Sequence, residues 1–76
     1  MVFERIKELI VEELNIPADQ INLDSKIAED LGADSIDAIE LIMEVEEEFD
    51  IEIDDDTAMG IKTINDLVEV INNLKA

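Results

Sequence analysis

Ser35 is the side chain whose setting most suggests chemistry. It follows the break Gly32-Ala33-Asp34, has Asp37 two residues on, and opens a long apolar and acidic run. A seryl nucleophile needs a general base within hydrogen-bond reach. The chain has no histidine and no lysine between Lys26 and Lys62, and it lacks the G-x-S-x-G turn of serine hydrolases. Ser35 is therefore not a catalyst. It is either an ordinary residue at a helix start or a position that another enzyme modifies. A phosphate ester there would lie beside free helical N–H groups, which partly offsets repulsion from Asp34 and Asp37. Ser25, the other serine, has no such setting.

Some of the carboxylates have part of the spacing of a calcium-binding loop. Asp50, Glu52 and Asp54 occupy positions one, three and five of a calcium loop. Position six is then Asp55, where glycine is required, and position twelve is Ile61, where glutamate is required. No defined metal site is expected, only weak cation binding from charge density. Cysteine is absent, so thiolate chemistry and disulfides are excluded and the redox compartment is not readable.

The elements that position Ser35 follow from apolar spacing. Val2 to Leu14 reads as an amphipathic helix with Phe3, Ile6, Leu9, Ile10 and Leu14 on one face. It ends near Asn15 because Pro17 disfavours helical backbone at Ile16. A long connection from Pro17 to Asp34 carries Ile21, Leu23, Ile27 and Leu31 as expected anchors, which argues for order. A second helix runs from Ser35 to about Glu48, with Asp34 as N-cap and Asp37 three residues on. Ile51-Glu52-Ile53 alternates like a strand but is too short and has no partner, so it reads as a connector. Asp54 to Gly60 makes one or two helical turns, with Gly60 as the stop. Thr63 to Asp66 is a capping box that opens a last helix, Ile64 to Leu74, whose apolar face is Ile64, Leu67, Val68, Ile71 and Leu74. The expectation is one all-α domain over residues 1–76. It is a small four-helix bundle with three longer helices, a short third helix and a long first loop.

At about 100° per residue the second helix divides into three zones. Leu41, Val45, Ala38, Phe49 and Ile42 form a core stripe, and Glu47, Glu40, Glu44, Asp37 and Glu48 form an acidic face. Ile36, Ile39 and Met43 border the acids. Either Ile36 and Ile39 pack under the first loop, or the group forms an exposed apolar strip that docks into a partner, a role suited to adaptable methionine.

Charge supports a partner of opposite sign. The chain carries 22 acids against Arg5, Lys7, Lys26, Lys62 and Lys75, and 14 of those acids lie between Lys26 and Lys62 with no base among them. Such a field excludes nucleic acid and anionic membrane as natural partners and favours proteins with basic patches. The plainer reading is a solubility device, which the clustering weakens. An apolar content of 47% is that of a globular chain. No membrane span and no signal peptide are read, and a cytoplasmic monomer without membrane insertion is expected.

The run Gly32-Ala33-Asp34-Ser35-Ile36-Asp37, continued by Glu40-Leu41-Ile42-Met43 and Glu46-Glu47-Glu48-Phe49-Asp50, resembles the acyl carrier proteins of discrete (type II) fatty acid synthases. The resemblance spans nearly the whole chain. It departs at Ile36, where leucine is usual, and at Thr57-Ala58-Met59-Gly60, which is less charged than is common. The resemblance implies a non-catalytic carrier. A phosphopantetheinyl transferase would esterify Ser35 with 4′-phosphopantetheine, whose thiol then carries growing fatty acyl chains as thioesters. It further implies that Asp34, Asp37, Glu40, Glu46 and Glu47 meet basic patches on fatty acid synthesis enzymes and that Ile36 and Met43 make apolar contacts. A cavity for the acyl chain is expected, lined by residues such as Ile42, Val45 and Ile61. A carrier of aminoacyl, peptidyl or polyketide cargo, or an unmodified acidic interaction module, are the alternatives.

Overall fold

The computed structural model describes residues 2–75. Helix α1 spans Val2–Leu14, α2 Ser35–Phe49, α3 Asp55–Met59 and α4 Ile64–Lys75, and a single 3-10 turn at Ala18–Gln20 interrupts the first loop. Apart from an isolated bridge between Lys26 and Thr63, no extended pairing occurs among the described residues. The architecture is all-helical. The Ile51–Ile53 stretch is irregular backbone with Ile53 turned into the core.

Each long helix buries the stripe its spacing predicts. Ile6, Leu9 and Ile10 of α1 meet Leu41 and Val45 of α2 and Ile64, Leu67 and Ile71 of α4 in one core. Each fully buried Ile or Leu contributes about 1.5–3 kcal/mol, so these three stripes hold the bundle. Helix α3 contributes no buried residue. Leu74, expected on the apolar face of α4, is instead half exposed, because the helix runs on beyond the core at its last turn.

The first loop is ordered by three of its four expected anchors. Ile21, Ile27 and Leu31 are buried, and Ala33 joins them. Leu23 is exposed, since its place in the fold is held by the backbone: its carbonyl accepts from the Asn65 N–H at 2.8 Å. Further pairs tie this loop to the start of α4. Ile27 N–H donates to the Lys62 carbonyl at 2.9 Å, and Ile64 N–H donates to the Ser25 carbonyl at 3.1 Å.

Helix ends are set by carboxylates and by left-handed residues. Asn15 and Asp50 close α1 and α2 with φ of 58° and 54°, a region that Asn and Asp enter more readily than other side chains. Asp54 caps α3 through the Thr57 N–H at 2.7 Å. Thr63 and Asp66 form the expected reciprocal cap of α4, each side chain accepting from the other's N–H at 3.1 Å. Gly60 ends α3 in right-handed backbone, so that stop does not draw on glycine's freedom.

Candidate functional site

The site is built at the start of α2. Gly32, with φ +72°, turns the chain so that Ala33 can enter the core and donate its N–H to the Ile27 carbonyl at 3.2 Å. Asp34 then caps the helix. Its carboxylate accepts from the Asp37 N–H at 2.8 Å, and Asp37 returns the bond more weakly at 3.4 Å. Ser35, the first helical residue, is exposed, and its hydroxyl makes no hydrogen bond among the described residues. Ser25 is the opposite case: it is buried, and its hydroxyl accepts from the Asn22 N–H at 3.0 Å.

The three zones of α2 are present in the fold. Leu41 and Val45 are fully buried, with Ala38, Ile42 and Phe49 half-buried around them. Ile36, Ile39 and Met43 are 65%, 58% and 58% exposed, so they form a surface strip and do not pack beneath the first loop.

The acids do not all have equal freedom. Glu40 and Glu47 are exposed and share a shallow hollow with Met43, Glu44 and Glu13 of α1. The Glu13 carboxyl, within hydrogen-bonding reach, raises the pKa of Glu40, and charge from Asp37 and Asp34 adds to this. One Glu44 carboxylate oxygen is buried with no hydrogen-bond partner among the described residues. Glu48 is committed to Arg5 of α1 at 2.8 Å, which lowers its pKa, and the same guanidinium also holds Glu8 at 2.8 Å. Glu46 lies apart from Glu40 and Glu47: it is half-buried and accepts from the Ile53 N–H at 2.8 Å.

The nearness of Glu13 had no signal in the chain, because two acids facing each other across helices run against any pairing rule. The capping bonds join Asp34 and Asp37 to each other on either side of Ser35, whereas Glu46 works partly as a clamp on the connector after α2.

One helical turn past Ser35, a cavity of about 190 Å³ opens between α2, α3 and the first loop. Its walls are mostly apolar and include Ile27, Ala38, Leu41, Ile42, Ala58 and Ile61. Ile42 and Ile61 are thus wall residues as expected. Val45 is not, being spent in the core. An apolar cavity of about 150 Å³ suffices for a benzene-sized guest, so this one takes a short stretch of hydrocarbon. Among the described residues no group of three or more His, Cys, Asp or Glu is placed to hold a metal ion. No helix among them is long and apolar enough to cross a membrane.

The helix start thus presents an exposed hydroxyl without a hydrogen-bond partner, flanked by acids and one turn from an apolar cavity. Residues 4–71 match the family described as "Phosphopantetheine attachment site". The chain is 51% identical over 73 residues to an acyl carrier protein of Sulfurovum sp. (strain NBC37-1), covering 96% of this chain and 97% of the other. It is 52% identical over 73 residues to an acyl carrier protein of Campylobacter jejuni (strain RM1221), covering 96% and 95%. An acyl carrier protein of Campylobacter fetus is 46% identical over 74 residues, covering 97% and 96%. The chain belongs to the phosphopantetheine-attachment family, among the acyl carrier proteins. Its cofactor is covalently attached 4′-phosphopantetheine, and the free hydroxyl and neighbouring apolar cavity fit that group.

Proposed function

We propose that Ser35 is the attachment residue and that the protein is a non-catalytic carrier of growing fatty acyl thioesters within a discrete fatty acid synthase of the cytoplasm. The observation that carries this reading is the contrast between the two serines. Ser25 is buried with its hydroxyl bonded, whereas Ser35 is exposed with its hydroxyl free. The attached group supplies the thiol that a cysteine-free chain lacks. The chain's own residues hold α2 in register, present the serine to a phosphopantetheinyl transferase, and shelter hydrocarbon against Ile42, Ala58 and Ile61. Asp34, Asp37, Glu40 and Glu47 would steer basic enzyme surfaces, Ile36 and Met43 would make the apolar contact, and Glu46 would join them with its unbonded oxygen.

Incubation with coenzyme A and a phosphopantetheinyl transferase, followed by intact mass, tests the assignment. The wild type should gain one phosphopantetheine, and Ser35→Ala should fold and gain nothing. A mass gain on the alanine variant would place the attachment elsewhere.

A further inference from the structure

Lys62 is the anomaly in the charge distribution. Arg5 pairs with Glu8 and Glu48, Lys7 with Glu4, and Lys26 with Glu29. The Lys75 ammonium donates to the Phe49 carbonyl at 2.9 Å. Among the described residues, Lys62 alone of the five bases has an ammonium with no partner, on a chain with a net charge of −17. The acid nearest in sequence, Asp66, is occupied, one of its oxygens accepting from both the Lys62 and Thr63 N–H groups at 3.0 and 3.1 Å.

The position is fixed, and it is the cavity. Lys26 and Lys62 both line it, and the backbone holds the two segments together through the Lys26–Thr63 bridge and the Ile27 N–H to Lys62 carbonyl bond. The charged groups lining it are Lys26, Lys62 and Glu29, a local excess of one positive charge on a strongly acidic molecule. The remaining walls are Ile27, Ala28, Leu41 and Ile42 with Ala38, Ala58 and Ile61. A ligand matched to this mouth has a short apolar body and an anionic end.

We infer that the cavity mouth is a carboxylate seat: it holds an acyl thioester whose far end is a carboxylate, with that group against Lys62 and supported by Lys26. The inference rests on the carrier reading above. A phosphate at Ser35 is a less suitable occupant. It would be fixed beside Asp34 and Asp37 a helical turn before the cavity, whereas the cargo is the part of the arm free to reach it. Cargo of equal length that ends in a methyl group has nothing to offer the ammonium and would lie against the apolar walls instead.

The test compares succinyl and butyryl cargo, which differ only in a terminal carboxylate or methyl. Protein labelled at lysine side chains is followed by NMR as apo, arm-only, succinyl-loaded and butyryl-loaded forms, with loading verified by intact mass. The Lys62 Nζ and Cε resonances should shift in the succinyl form alone, and added salt should shrink the shift. Lys62→Gln should reduce the seated succinyl population about 1.5- to 5-fold, the range of an exposed charge pair, without altering the butyryl spectrum. Identical Lys62 resonances in the two loaded forms would overturn the inference. So would an equal shift in the arm-only form, which would make the phosphate the ligand. A failure to gain mass at all would instead count against the carrier reading.

Discussion

Gly32 does for Ser35 what no other residue in the loop can do. Its φ of +72° reverses the chain just before the cap, and a Cβ there would meet nothing within 4 Å. The cost of Gly32→Ala is therefore conformational and not steric, about 1–2 kcal/mol for a left-handed L-residue. Thermal melts should show that loss while phosphopantetheine attachment persists. A variant as stable as wild type would mean that the turn relaxes without strain. The setting of Ser35 at a capped helix start was legible from the break and the cap, because both are local patterns. The burial of Ser25 was not, since it depends on the Ile64 N–H reaching the Ser25 carbonyl across the fold. The second use of Glu46 was hidden in the same way, because its bond to the Ile53 N–H requires the chain to turn back after α2.

Among the elements, α2 carries three surfaces, and two of them should act on different stages of an encounter. Carboxylates steer approach, whereas apolar contact holds a complex once formed. Glu40→Lys with Glu47→Lys should slow association with a phosphopantetheinyl transferase and flatten its salt dependence. Met43→Ala should mainly speed dissociation, and both variants should keep their helical content. Glu40 and Glu47 are chosen because Glu46 and Glu48 also bond within the fold, so changes there would mix steering with stability. Surface-binding kinetics at two salt concentrations separates the outcomes, and association rates unaltered by charge reversal would reduce the acidic face to a solubility feature. The helices were readable to within a residue or so at their ends, because amphipathic spacing and carboxylate caps are written locally. The 3-10 turn at Ala18–Gln20, the Lys26–Thr63 bridge and the exposure of Leu23 were not. Those follow from pairing between distant segments, which leaves no period in the chain.

For the whole molecule, acid should act in two opposed stages. Glu40 has a raised pKa beside Glu13, so repulsion across the α1 and α2 seam is present at neutral pH and relieved as pH falls through that value toward the ordinary glutamate range. Glu48, Asp54 and Asp66 are shifted the other way: Glu48 by the Arg5 hydrogen bond, Asp54 by bonds from Thr57, and Asp66 by the Lys62 and Thr63 N–H groups. Their contribution is complete above the ordinary carboxylate values and is lost as pH falls through the lowered ones. Melting temperature should therefore rise from neutral pH toward mild acid and fall again at stronger acid, and Glu40→Gln should flatten the rise. Calorimetry across pH checks this, and a steady decline from neutral would contradict it.

Because α3 has no fully buried residue, one wall of the cavity belongs to a helix with little to lose by opening. Local unfolding free energy follows buried contact, so the amides of Thr57 to Gly60 should exchange with solvent far faster than those of Ile6, Leu41 or Leu67, in the absence of any cargo. Hydrogen exchange that is equally slow in α3 and the core would refute this. Fast exchange in α3 makes the cavity elastic, its capacity set by how far a marginal helix yields and not by its volume at rest.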